Sequence, residues 1–300
     1  MSYVGDVLTI YMPGRSFPAL SVTGIKCDQM CEHCRGAHLK SMINAENGPM
    51  IDMVNDLISS GGTGMLVSGG CDVKGSVPVM RAIEAIEYAS KNGLSVNVHT
   101  GFLNKDDAER LAAAGAVFSA DVHQDPDIIK NILNLDAAPS AYSDMLDTII
   151  SAGGRPAAHL TAGFGIADLT MSADLVKSRG LRNVILLALV PTKGTMTEDT
   201  LIPEGAVVDA VRMLKERGFD VTLGCMRPRV HRDLEIRCIE AGVRKIANPS
   251  RRTISWAEEN GMEIIEERTC CCIDRQYGRS RPSSCLSGKR PHTPEPPSRL

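Results

Sequence analysis

Short aliphatic runs ending in small or polar residues alternate along this chain with amphipathic segments, and that alternation restricts the fold more than any other feature. Strands are expected at residues 19–23, 65–68, 95–99, 117–121, 157–161, 184–189, 220–223 and 245–247. Their continuous apolar character suits strands buried on both faces of a parallel sheet. Helical periodicity marks 50–60, 77–92, 105–114, 140–152, 204–217 and 231–241. Gly93, Gly115, Gly218 and Gly242 follow four of these segments, as helix stop signals do. Asp125 and Ser140 read as helix caps. Strands alternating with helices predict the α/β class, with a complete or partial (β/α) TIM-type barrel; an open doubly wound sheet would give a similar string. In either fold the chemistry belongs in the loops after the carboxyl ends of the strands.

The hydrophobic fraction of 43% fills a large core, and the aromatic fraction of 4% makes that core aliphatic. A single domain is expected over residues 1–274, followed at 275–300 by a Pro-, Ser- and Arg-rich tail expected to be disordered. A formal charge of −3 with no basic stripe argues against a nucleic-acid partner. The start, MSYVGDVLTIYM, lacks the pattern of a signal peptide, and no apolar run is long enough to cross a membrane. A cytoplasmic protein is therefore expected. Ten cysteines are present, and in that reducing setting the clustered ones are expected to be ligands or catalytic groups rather than disulfides.

Cys27, Cys31 and Cys34 form a C-x3-C-x2-C array directly after the first expected strand. Three thiolates can hold three irons of a four-iron cubane and leave the fourth open to a small chelating ligand. A structural zinc site would need a fourth donor, for which His33 and His38 are the neighbours.

The triplet resembles the signature of the radical S-adenosylmethionine (SAM) superfamily. That resemblance implies a partial or complete barrel of the radical SAM kind, a 4Fe-4S cluster on Cys27, Cys31 and Cys34, and SAM as cofactor. Ser68-Gly69-Gly70 resembles the turn whose backbone holds the SAM amino group, although Cys71 stands where the family usually has an acid. His33 likewise replaces an aromatic residue common before the last cluster cysteine. The segment ADVHQDP resembles the fourth-strand end of biotin synthase, implying SAM or substrate contacts for Asp121 and His123. LALVPTKGT resembles its sixth-strand segment, and VTLGCMR its seventh, where Arg227 matches an arginine facing an auxiliary cluster. Unlike that family, the expected strands ending near His99 and His159 carry no cysteine, so the biotin-type auxiliary cluster is not expected.

Cys225, Cys270 and Cys271 are candidates for a second iron–sulfur cluster, with Cys272, Arg227 or a partner supplying a missing ligand. Three consecutive cysteines are not expected to face one way, and the plainer reading makes Cys225 a small core residue and the run incidental. Cys238 reads as core, and Cys285 falls in the tail. His99, His123 and His159 stand at equivalent strand ends, which fits substrate or SAM contacts. Arg227, Arg229, His231 and Arg232 form a basic loop able to bind an anion. By resemblance to the archaeal biotin-synthase-like proteins and two-protein lipoyl synthases, the expected reaction is sulfur insertion into a small-molecule or carrier-protein-bound acyl chain. An electron-donor protein and a second radical SAM subunit are the implied partners. Another radical SAM step in cofactor biosynthesis and a non-enzymatic iron–sulfur scaffold are the alternatives.

Overall fold

A computed structural model describes residues 3–273; residue 274 and the tail expected at 275–300, with Cys285, lie outside it. One sheet holds β1 (Val7–Tyr11), β2 (Ala19–Ser21), β3 (Ile43–Asn44), β4 (Gly64–Ser68), β5 (Ser95–His99), β6 (Val117–Asp121), β7 (Arg155–Ala162), β8 (Asn183–Ala188), β9 (Asp220–Leu223), β10 (Lys245–Ala247) and β11 (Glu263–Glu267). Every pairing in it is parallel. Its order is β11-β1-β10-β9-β8-β7-β6-β5-β4-β2-β3.

Chain length forces this sheet to curl. β1 and β2 are consecutive in sequence but lie toward opposite edges of the sheet. The eight peptide steps from Tyr11 to Ala19 reach at most about 29 Å, whereas eight strand spacings across a flat sheet need about 38 Å. The edges must therefore approach each other. Ser16 Oγ donates to the Arg268 carbonyl across the seam (3.2 Å), and Thr63 Oγ1 donates to the same oxygen. Among the described residues no ladder joins β3 to β11, so the barrel is partial rather than complete.

Among the described residues eight α-helices cover the outside: α1 (Met50–Ser59), α2 (Ile83–Lys91), α3 (Lys105–Ala113), α4 (Ser140–Ser151), α5 (Ile166–Ser178), α6 (Glu204–Glu216), α7 (Leu234–Glu240) and α8 (Arg251–Glu259). α4 shows why they dock. Tyr142, Met145, Leu146 and Ile149 fall on one face and are all buried, each contributing about 1.5 to 3 kcal/mol of apolar burial. The helical stretch expected at 77–92 is split, because the Val77 amide is drawn to the Thr100 carbonyl (2.7 Å) and a 3-10 turn precedes α2. The helix expected from residue 231 begins at Leu234, since the His231 ring bonds the Ile202 carbonyl (2.8 Å) instead. Ser140 follows Pro139 inside α4 and caps nothing, whereas Asp125 accepts the Asp127 amide (2.9 Å). Among the described residues no helix is long and apolar enough to cross a membrane.

Alternation sets the two faces of each strand. Val98, Phe118, Ala120, Ala158 and Leu160 point outward into the helix layer and are essentially sealed. Asn97, His99, Ser119, Asp121 and His159 occupy the other face, inside the barrel. The register places His99 beside Ser119 and Asp121 beside His159.

Candidate active site at the carboxyl ends of the strands

The loop after β2 carries Cys27, Cys31 and Cys34, all half-buried and unpaired by disulfides. It contains two non-glycine residues in the left-handed region, Met30 (φ 47°) and Arg35 (φ 42°), a conformation that persists only where its surroundings hold it. Those surroundings are specific. The Asp28 and Gln29 amides donate to the Cys71 carbonyl (2.8 and 3.2 Å), tying the loop to the turn after β4. Gln29 Nε2 donates to the Leu133 carbonyl (2.8 Å), and the Glu32 amide to that of Ile132 (2.7 Å). Thr197 Oγ1 donates to the His33 carbonyl from the loop after β8 (3.1 Å). Three separate strand-end loops thus hold the cysteine loop.

Gly69 and Gly70 follow β4 as the turn expected from the sequence. Thr23 Oγ1 accepts the Gly70 amide (2.7 Å). A Cβ on Gly70 would lie 1.9 Å from the Lys26 carbonyl and 2.5 Å from Cys27 Cα, so only glycine lets the turn press against the cysteine loop. Cys31, His33 and Cys34 have donor atoms within 4.8 Å of one another, with Cys27 beyond that set. A hydrogen bond from Cys31 draws the Cys34 thiol down to about 4, helped by His33, while that same bond, burial and the neighbouring thiols push Cys31 up. Burial, with Cys27 and Asp121 near it, lifts Cys71 to about 12. Thiols crowded this way repel once ionised, and a cationic centre bonded to them relieves the repulsion. The donor set therefore fits an iron–sulfur cluster. Cys31, Cys34 and the buried, unpartnered Nδ1 of His33 also fit one small ion.

Deeper in the barrel Asp121 lies between two histidines. His99 Nε2 stands 3.0 Å from Asp121 Oδ2, and His159 Nδ1 lies 3.2 Å from Oδ1. Burial opposes charge on Asp121, but the two rings hold its carboxyl well below the usual range. Burial likewise works against charge on His99, and Asp121 outweighs it, so His99 titrates above an ordinary histidine. His123 is separately anchored: its Nδ1 meets Asp168 Oδ2 at 2.9 Å, and Phe164 and Tyr142 pack edge-on against its ring. Asp168 also accepts the Gln124 and Asp125 amides (2.7 and 2.9 Å).

Cys270, Cys271 and Cys272 enter the same interior. Their sulfurs lie within 4.8 Å of one another, which corrects the expectation that consecutive cysteines face different ways. Strand alternation does not apply, because the Ile273 amide donates to the Cys270 carbonyl (2.9 Å) and closes a turn over the run. Asn97 Nδ2 reaches Cys270 Sγ at 3.6 Å, and Cys272 Sγ lies 3.3 Å from Ser119 Oγ and 3.5 Å from His159 Nε2. The run thus sits one interior layer below Asp121. A cavity of about 240 Å³ opens beneath it between the amino ends of β7 and β8, walled by Cys271 and Cys272.

Solved structures share this architecture. Methylornithine synthase (PylB) superposes with a TM-score of 0.60 at 13% identity, over 87% of this chain and 84% of that one. The protein anSMEcpe with bound AdoMet gives 0.53 at 9% identity, over 77% of this chain and 63% of that one. Streptococcus suis SuiB bound to S-adenosylmethionine gives 0.53 at 13% identity, over 84% of this chain and 53% of that one. The shared fold is the partial (β/α) barrel described above. This chain spans less than two thirds of the length of the latter two structures. No protein-family model and no curated protein matches the sequence.

Within this barrel, Arg227 does not take the place its resemblance implied. It is 3% exposed, and its guanidinium is consumed by Glu235 Oε1 and by the carbonyls of Gly224, Ala247 and Asn248. It locks the loops after β9 and β10 and has no donor left for a cluster. Arg229 shares Glu235 with Arg227 (2.9 Å), so one carboxylate offsets one charge of the expected basic loop. Cys225 is exposed beyond β9, outside the tight sulfur set, and Cys238 is core. Asp168, Asn97 and Ser119 did not stand out in the sequence. Asp168 lies in a helix with little amphipathic contrast, and Asn97 and Ser119 are single polar residues inside apolar strands.

Proposed function

We propose that this protein is a radical SAM enzyme that inserts sulfur at an unactivated carbon of an acyl substrate. The observation that carries the reading is the cysteine loop held against the Gly69–Gly70 turn at the barrel mouth. Cys27, Cys31 and Cys34 would hold a 4Fe-4S cluster, which when loaded with SAM would supply one-electron cleavage of the sulfonium and radical hydrogen abstraction from carbon. The backbone of Gly69 and Gly70, with Cys71 beside it, would receive the SAM amino group. Asp121 and His123 line the wall that faces cofactor and substrate. Phe164 and Tyr142 pack edge-on against His123 and fix its ring.

Sulfur insertion is supported by thiols inside the barrel rather than at its outer surface. Cys270, Cys271 and Cys272 lie one layer beneath Asp121, where three thiolates can hold a second iron–sulfur cluster as sulfur source. Cys225, toward the mouth, is the remaining candidate thiolate. A carrier-bound acyl chain, an electron-donor protein and a second radical SAM subunit are the partners this reading implies.

The test is anaerobic reconstitution followed by incubation with SAM, dithionite and an octanoylated carrier peptide. About eight irons per chain and a thiolated product are expected. About four irons with SAM cleavage but no sulfur in the product favours a different radical SAM reaction in cofactor assembly. Metal binding without SAM cleavage returns the protein to the scaffold reading, against which the glycine turn already argues.

A further inference from the structure

The sulfur set offers three donors, and the barrel places a fourth beside it. We infer that His159 completes the second centre with Cys270, Cys271 and Cys272, and that Asp121 holds its ring for that role; this rests on the second cluster proposed above. Asp121 can only accept, so the proton of the His159 ring is on Nδ1, toward Oδ1 at 3.2 Å. The lone pair of Nε2 then faces the thiols, 3.5 Å from Cys272 Sγ. Asp121 cannot swing away, because its other oxygen is held by His99 Nε2 at 3.0 Å. A carboxylate fixing the far nitrogen of a ligand histidine is how metal sites set imidazole orientation.

Competing donors are placed elsewhere. The Arg227 guanidinium is spent on Glu235 and three carbonyls, and Cys225 lies outside the group of mutually close sulfurs. Asn97 Nδ2 points at Cys270 Sγ from 3.6 Å, an N–H aimed at a ligand sulfur that adds to the tuning of the centre. Asp121 thereby links the chamber expected to take SAM to the second centre beneath it. Replacing a thiolate by imidazole also raises a cluster's reduction potential, which gives the assignment a signature independent of turnover.

The experiment uses the full chain carrying Cys27→Ala, Cys31→Ala and Cys34→Ala, so that only the second centre can load. After anaerobic reconstitution, iron is counted and the reduced protein is examined by pulsed EPR with natural-abundance and 15N-labelled histidine. Retained iron is expected, with a nitrogen coupling that changes on labelling. Adding His159→Cys should keep the iron, abolish the coupling and lower the midpoint potential, while adding His99→Ala should leave the coupling in place. Retained iron without histidine coupling, or coupling that survives His159→Cys, overturns the assignment and leaves the second cluster standing. No iron in the triple variant removes the second cluster and the assignment with it. The labelling arm does not depend on any His159 variant folding.

Discussion

At the scale of single residues, close packing and buried polar partners decide what this site tolerates. Gly70→Ala places a methyl where the Lys26 carbonyl stands, and backbone cannot yield as a side chain can. That variant is expected to fold but to take up cluster iron poorly, as iron counting after reconstitution will show. Arg227 and Glu235 form a nearly sealed ion pair, and removing Arg227 leaves Glu235 only the half-exposed Arg229 and takes the donor from three carbonyls. Arg227→Met should cost about 3 to 5 kcal/mol, read from the denaturant midpoint. Asp168 supplies a pH signature. Burial raises its carboxyl, but the His123 ring and the Gln124 and Asp125 amides outweigh that and hold it below the usual range. The folded state therefore binds this proton more weakly than the unfolded chain does. The stabilisation is full above the unfolded value of about 3.9 and is lost as pH falls through the lower folded value. Asp168→Asn should flatten that acid limb in pH-dependent melting. The Cys27, Cys31 and Cys34 array stands out in the sequence by its spacing, and the Gly69–Gly70 turn by resemblance. Asp168 and Ser119 are not, because a lone polar residue in an apolar context gains meaning only from what faces it.

At the scale of elements, the cysteine loop depends on its straps as much as on its own sequence. Gln29→Ala removes a buried bond to the Leu133 carbonyl and should cost about 1 kcal/mol, with iron lost faster to a chelator than from wild type. The inner strands β4 to β10 are readable because each is a short, largely buried run whose outward face is aliphatic. β11 (EIIEE) and β3 (two exposed residues) are not, since edge strands carry charge and little burial. α5 is hidden for the opposite reason. Asp168, Leu169, Ser172, Ala173, Leu175 and Val176 bury it so broadly that the amphipathic stripe fades. The Cys270–Cys272 turn defeats the sequence reading because alternation predicts divergent side chains and a single backbone bond reverses it.

At the scale of the whole molecule, a parallel sheet curled by a short link brings loops from β2, β4, β6, β7 and β8 to one mouth. The alternation of elements foretells that architecture, while the open seam follows from edge pairing that sequence does not encode locally. The central claim is that this mouth holds a SAM-cleaving cluster. It is tested by anaerobic assay of 5′-deoxyadenosine formation under dithionite, comparing wild type with the Cys27→Ala/Cys31→Ala/Cys34→Ala variant. Wild type is expected to form 5′-deoxyadenosine, and the variant none above background. A reconstituted, iron-loaded wild type that never cleaves SAM, or a variant that cleaves it equally well, would contradict the account.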